Sequence, residues 1–367
     1  VYGEDDGITE FGLDNYVAAL ENKDTITVGY LGGSITFGHA ASSLANSYAG
    51  LTTAWLQSRY PDKTIIEKRA GVSGTGSDLG ALRVSEDIIS ANPDLVFVEF
   101  AVNDQGASNA TAASYIERSM EGIVRQIKEA NPACDIVFIN SFSTFLRDNY
   151  YSRGATPWSV IANNNVAEYY GIASINMGKD LYDIEKGVNE PGNYMNDNSH
   201  PNDKGHLEYS KSIIKYLTGA ILNAQSPKAY VAPAPLHSDY IHGSLLDVED
   251  ISITRRGSWH IRSGDINKIG EHNILQSNVP GDSLTFSFRG TGVGVYLRVG
   301  PDTGIIKYTI DGEEGMVDTS DTYTVAGSSR IFYKMLKMGL ADTEHTVQIE
   351  VADSKNVNAT DYYLCIG

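Results

Sequence analysis

Ile26-Thr27-Val28-Gly29-Tyr30-Leu31-Gly32-Gly33-Ser34-Ile35-Thr36 is the stretch that decides how this chain folds. The apolar run 26–31 reads as a buried strand, and it empties into small residues that let the backbone turn sharply and expose one hydroxyl, that of Ser34. A helical pattern follows over 47–60, so the serine stands between a strand and a helix, where open α/β sheets place their reactive groups. A serine in a Gly-rich turn is by itself equally a turn residue or a helix cap. To act as a nucleophile it needs a base, an orienter for that base, and donors for an oxyanion.

Working outward, apolar runs alternate with amphipathic stretches. Strands are predicted at 26–31, 64–68, 94–100, 135–140 and 172–176, and helices at 47–60, 78–91, 112–130, 158–170 and 204–223. Tyr115, Met120, Ile123, Val124 and Ile127 share one helical face, and Asn131-Pro132 ends that helix. The rhythm predicts a parallel sheet covered by helices on both faces, with its site at the carboxyl ends of the strands. Residues 16–20 read as a helical lead-in. An irregular stretch over 141–158 carries Phe142, Phe145, Tyr150, Tyr151 and Trp158, either a packed cover or one wall of a binding site. A second long connection is expected over 181–196.

The chain has 367 residues, too many for one typical core, so two domains are expected. Apolar residues make up 41% and charged residues 20%, the composition of a globular protein. Asp and Glu outnumber Lys and Arg 46 to 28, a net charge of −18, and both halves are acidic. Nucleic acid and anionic membrane are thereby poor partners, since both demand a cationic footprint. There is no apolar run near eighteen residues and no leader-like start, so the expectation is a cytoplasmic protein. The two cysteines, Cys134 and Cys365, fall in different predicted domains and read as buried free thiols. Self-association is left open by the sequence.

Residues 1–224 are assigned to the α/β domain and 225–240, with Pro227, Pro233 and Pro235, to a stiff linker. Over 241–367 the periodicity changes to short alternating runs at 284–288, 293–299, 304–310, 330–336, 345–351 and 362–366. Turn signals at Pro280-Gly281-Asp282, Gly290-Thr291-Gly292 and Asp311-Gly312 separate them. This predicts an all-β sandwich of jelly-roll type.

Asp197-Asn198-Ser199-His200-Pro201 precedes the last helix of the first domain. A histidine held by a following proline, with an acid three residues before it, can present one ring nitrogen outward while the carboxylate orients the other. Asp203, nearer the helix, reads as its cap, and His206 as a packed or solvated side chain. A metal set of Asp197, His200, Asp203 and His206 matches none of the common zinc spacings. Oxyanion donors could come from Gly71-Val72-Ser73-Gly74-Thr75-Gly76 after the second strand and from Val98-Glu99-Phe100-Ala101-Val102-Asn103-Asp104 at the end of the third.

These four blocks, in this order, resemble the SGNH (GDSL-type) hydrolase superfamily over about residues 25–220. Ser34 matches its nucleophile, Gly74 its glycine, Asn103 its asparagine, and Asp197 with His200 its DxxH block. Gly33 stands where many members have Asp, and Ala101 where a Gly often precedes the Asn by two. The resemblance implies a three-layer α/β sandwich and a serine esterase cycle without metal or cofactor. Ser34, His200 and Asp197 would form the triad, and Ser34, Gly74 and Asn103 the oxyanion hole. The Pro280–Val293 region is similar to the jelly rolls of two-domain bacterial carbohydrate O-acetylesterases, which implies an acetylated polysaccharide substrate, mannan before xylan, and a carbohydrate-binding-like second domain. Twenty-two tyrosines and the tryptophans Trp158 and Trp259 suit stacking on sugar rings, so Trp158, Trp259 and Asp104 are the candidate substrate contacts. A lipase or thioesterase of the same fold, and a non-catalytic glycan-binding protein, are the competing readings.

Overall fold

The computed structural model describes residues 8–9, 12–106, 113–186, 193–249, 251–262 and 273–367. The chain divides into two units, Val1–Ser244 and Leu245–Gly367. The first holds a six-stranded sheet built from β1 (Ile8–Thr9), β2 (Thr25–Gly32), β3 (Thr64–Gly71), β4 (Leu95–Glu99), β5 (Asp135–Ile139) and β6 (Ala173–Ile175), in the order β1-β6-β5-β4-β2-β3. Strands β2 to β6 are parallel, and β1 adds antiparallel at the edge on β6. The inner strands are continuous apolar runs because both their faces are covered: every residue of β4 and β5 is buried.

Helices Asp14–Asn22, Tyr48–Arg59 and Asp203–Leu222 contribute Tyr16, Leu20, Tyr48, Leu56, Tyr209, Ile213 and Leu217 to one apolar cluster with Val28, Tyr30, Phe97 and Val137 of the sheet. Helices Ser77–Asp87, Ala113–Ala130 and Trp158–Tyr170 pack on one another and complete the three layers. The predicted strands and long helices agree with these elements to within a few residues. Two connections hold more structure than their sequences announced. Met177–Lys186 is helical where a connection was expected from 181, and 141–158 contains the helix Thr144–Asn149, started by Ser143 accepting from Leu146 N. Six residues are too few for a periodic signal. The remainder of the expected 181–196 connection includes 187–192, outside the described residues.

The proline-containing stretch after the last long helix is tied along the α/β unit. The Glu121 carboxylate accepts from the N–H groups of Leu236 (2.7 Å) and His237 (2.6 Å), and Gln126 donates to Tyr240 O (2.9 Å). No described helix is long and apolar enough to cross a membrane. Cys134 and Cys365 are both buried, and neither forms a disulfide among the described residues.

The second unit comprises β7 (Thr254–Arg256), β8 (His260–Arg262), β9 (Ile274–Ser277), β10 (Ser283–Val299), β11 (Ile305–Ile310), β12 (Glu313–Asp318), β13 (Arg330–Val351) and β14 (Leu364–Ile366), paired antiparallel. β10 and β13 pair along their whole length. One half of this long strand pair is flanked by β7 and by β11–β12, the other by β14–β9–β8. Leu284, Ile306 and Val347 from one half meet Val295, Leu275 and Leu364 from the other in a single cluster, so the two halves form the layers of a sandwich. The runs expected as separate strands at 284–288 and 293–299 are one bent strand. Register shifts at Gly290/Gly292 and Val293/Gly294 bend it without breaking the ladder, so the glycines make a bulge where a turn was expected. Asp311 and Gly312 both have positive φ (49° and 88°), the conformation of a two-residue hairpin turn between β11 and β12.

Candidate active site

Ser34 opens a four-residue helical turn, Ser34–Phe37, directly after β2, with 8% of its surface exposed. Gly74, at φ +74°, follows β3, and Asn103 lies in the short helix Ala101–Gly106 after β4. A Cβ on Gly33 would lie 2.8 Å from Asn103 Oδ1. The Asn103 amide therefore abuts the serine turn, and a side chain at 33 would have to push that amide aside.

The segment carrying His200 is a tight loop closed by Asn196 N donating to His200 O (2.8 Å). Inside it Asp197 Oδ1 accepts from the N–H groups of Ser199 and His200, both at 2.8 Å, and Asp197 Oδ2 lies 2.8 Å from His200 Nδ1. His200 Nε2 lies 2.9 Å from Ser34 Oγ, across 166 residues. Burial pushes the Asp197 carboxyl up, but the two backbone N–H groups and the His200 ring outweigh it and hold the group below its ordinary value. The Asp197 carboxylate can only accept from the ring, and the tautomer that donates Nδ1–H to it leaves Nε2 to accept from the hydroxyl, which is the arrangement a proton relay requires. The imidazole–hydroxyl bond is already of catalytic length.

Beneath the serine turn lies Glu99, 1% exposed. Its carboxylate accepts from Ser141 Oγ (2.5 Å) and Thr36 Oγ1 (3.1 Å), and its main-chain oxygen from Gly33 N (3.3 Å). Burial raises its pKa, with the two hydroxyls opposing. Beside His200 stands His39, its ring centroid 4.2 Å away. Partial burial and the His200 ring push its pKa below the ordinary value, with Asp197 opposing. Sequence reasoning missed both. A charged residue inside the apolar run 95–100 was a readable signal for Glu99, whereas His39 reaches His200 through a loop with no recognisable pattern.

Ser34, Asp197 and His200 are thus brought together, with Asn103 against the serine turn. His206 is packed as expected, 0% exposed, its Nδ1 accepting from Tyr48 N (3.2 Å). Asp203 is not the cap of its helix. Asn202 caps it, accepting from Lys204 N and Gly205 N, while Asp203 accepts from Ser42 N (2.7 Å) and Ser42 Oγ (2.6 Å). Among the candidate substrate contacts, Asp104 turns inward, 4% exposed, with Oδ1 accepting from Ser77 N (2.9 Å) at the start of helix Ser77–Asp87. Trp259 is 8% exposed in the core of the second unit, where an apolar ring is worth more than on the surface. Trp158 is half-buried at the start of its helix, beside Ser159, whose N–H donates to Gln105 Oε1 (3.0 Å).

A serine hydroxyl, an imidazole and a carboxylate in line at the carboxyl edge of a parallel α/β sheet are the groups that hydrolysis through a serine nucleophile needs. Residues 30–207 match the GDSL-like Lipase/Acylhydrolase family, and the α/β unit of this chain belongs to it. Among curated proteins none matches the sequence. Among solved structures the chain is similar over 100% of its length, and 97% of the other, to a two-domain esterase (CEX) active on acetylated mannans co-crystallized with mannopentaose, with a TM-score of 0.82 and 22% identity. A structure of a two-domain esterase (CEX) active on acetylated mannans gives a TM-score of 0.83 and 21% identity over 100% and 98% of the two chains.

Proposed function

We propose that this chain is a serine esterase that removes O-acetyl groups from plant-type polysaccharides or oligosaccharides, acetylated mannan before xylan. The observation that carries the reading is the relay from Asp197 through His200 to Ser34 Oγ, 2.8 and 2.9 Å. His200 Nε2 takes the Ser34 proton as Oγ attacks the acetyl carbonyl. The tetrahedral intermediate collapses as the C–O bond to the sugar breaks and His200 gives its proton to the leaving oxygen, releasing the sugar hydroxyl and leaving an acetyl-serine. Water, deprotonated by His200, then attacks this ester, and the proton returns to Ser34 as acetate leaves. The backbone amides of Ser34 and Gly74 and the side-chain amide of Asn103 hold the oxyanion, each such donor being worth ~10²–10³ in turnover.

Two observations support a glycan substrate. The two-domain esterase (CEX) with the same architecture is active on acetylated mannans. In this chain Phe145, Tyr150 and Trp158 also lie on segments tied to both sides of the site. Thr144 N donates to Asn198 O (2.9 Å), Gln105 Nε2 to Tyr150 OH (2.9 Å), and the exposed Phe145 ring lies 6.4 Å from that of Tyr150. An exposed aromatic ring with half-buried ones beside it suits sugar rings.

The test incubates wild type and Ser34→Ala with acetylated mannan, acetylated xylan and a medium-chain lipid ester, following released acid. Acetate from mannan above xylan, absent in the variant, is expected. Activity confined to the lipid ester sinks the glycan assignment, and hydrolysis persisting in Ser34→Ala sinks the serine mechanism.

A further inference from the structure

The loop after the serine turn brings a third nitrogen-bearing ring to the site. His39, Asp197 and His200 each offer one ligand atom, and the three atoms lie within 4.8 Å of one another. His39 and Asp197 are exposed and His200 half-buried, so the cluster opens to solvent. The backbone that carries His39 is fixed independently of its ring. Its carbonyl lies 3.3 Å from His206 Nε2, and Ser42, three residues on, is bonded twice to Asp203. Two imidazoles and one carboxylate with an open side form the donor set that borderline divalent ions prefer, whereas magnesium and calcium favour all-oxygen sites.

We propose that His39, Asp197 and His200 form an inhibitory site for a divalent transition-metal cation of the zinc, copper and nickel class. The consequence for activity follows from how His200 is already used, and it rests on His200 being the base of the serine esterase reading. Both its ring nitrogens are committed, Nδ1 to Asp197 and Nε2 to Ser34. A cation that takes either one breaks a bond the proton relay needs. The same ion that a hydrolase with an open His₂-carboxylate site would use to activate water here stops the chemistry. His39 packs on the His200 ring but is hydrogen-bonded to neither the serine hydroxyl nor the carboxylate, so its imidazole is available to a cation without breaking the relay.

The test follows hydrolysis of an activated acetate ester by chelator-treated, dialysed wild type during zinc chloride titration, alongside His39→Ala and His39→Gln. Wild type is expected to be active after chelation, to lose activity on zinc addition and to recover it with excess chelator. The two variants should keep basal turnover within about 3-fold and need at least ~10-fold more zinc for half-inhibition. Equal zinc sensitivity of wild type and variants overturns the proposal, as does an enzyme that is inactive after chelation and restored by zinc. Cobalt(II) bound to wild type and to Ser34→Ala gives a second readout free of turnover. A visible absorption band present in both and lost in His39→Ala supports the site even where the serine mechanism fails. Identical bands with and without His39 place the metal elsewhere.

Discussion

Thr36 Oγ1 donates to Glu99 Oε2 at 3.1 Å and lies 2.7 Å from Tyr48 OH, so the residue two positions after Ser34 anchors its turn on a buried carboxylate. Thr36→Val keeps the shape but leaves a carboxylate oxygen and a tyrosine hydroxyl without that partner, inside a region with almost no exposure. Stability should fall by about 1–3 kcal/mol, the cost of an unmet buried polar group. Because the turn that aims Ser34 loosens, kcat should fall more than KM rises. Urea unfolding and steady-state kinetics on an activated acetate ester check both; an unchanged variant would show that Glu99 holds the turn through Ser141 and the backbone alone.

Asn103 and Gly33 should behave as a coupled pair, given the 2.8 Å between Asn103 Oδ1 and the position of a Cβ on Gly33. Asn103→Ala is expected to lower kcat ~10²–10³-fold with little effect on KM, as for an oxyanion donor. Gly33→Ala displaces the same amide and should cost ~10-fold. If displacement is the mechanism, adding Gly33→Ala to Asn103→Ala costs little more, and the double-mutant cycle reports a large coupling. Simple additivity would mean that the alanine disturbs Ser34 instead.

Asp197 is nearly half exposed, its side chain at 46%, so water can partly replace it on His200 Nδ1. Asp197→Asn should therefore lower kcat by ~10²–10³, less than the ~10⁴ known for a fully buried triad carboxylate. Asp197 Oδ1 also accepts two backbone N–H groups, which an asparagine oxygen can still do, so folding should be spared. A thermal melt beside the kinetics separates the two roles.

Much of the first unit was legible because buried parallel strands must be continuous apolar runs, and those at 26–31 and 135–140 have no competing reading. The order of serine, glycine, asparagine and DxxH blocks followed from where strands end. What the sequence hid is of two kinds. Elements of four to six residues, such as 34–37 and 144–149, are too short for periodicity. Polar residues whose partners lie far along the chain carry no local mark of their state: Asp104 resembles a site residue and Asp203 a helix cap, yet one is bonded to Ser77 and the other to Ser42. Trp259 hid for a third reason, since an aromatic suits a sandwich core and a sugar platform equally well.

Asp104 gives the chain a pH-dependent stability of uncommon sign. Burial pushes its carboxyl up to about 8, with the Ser77 N–H opposing and the Asp78 charge adding. The folded protein thus keeps this proton to about pH 8, while the unfolded chain releases it near pH ~4. Between these limits the folded state binds more protons, so its contribution is complete at low pH and is lost as pH rises toward 8. Asp104→Asn preserves the acceptor for Ser77 and cannot ionise. Its stability relative to wild type should climb between pH 5 and 8, by at most about 1.4 kcal/mol per pH unit. Urea midpoints of the two proteins at successive pH values test this; a constant difference would mean that Asp104 is ionised throughout and held by the start of the helix.

Trp259 separates a packing role from a sugar-binding one. The ring is 8% exposed in the cluster with Leu284, Val295 and Leu364, and its Nε1 has no hydrogen-bond partner among the described residues. Trp259→Phe removes ring area but also an unsatisfied buried N–H, so the two effects should nearly cancel, leaving stability within about 1 kcal/mol of wild type. Trp259→Ala leaves a cavity and should cost about 3–5 kcal/mol. Because the indole is enclosed in its own unit, Trp259→Phe should leave KM on acetylated mannan oligosaccharides unchanged. A KM rise of ~10-fold with unaltered unfolding would instead put the indole on the sugar, since a lost stacking partner weakens binding without touching the core.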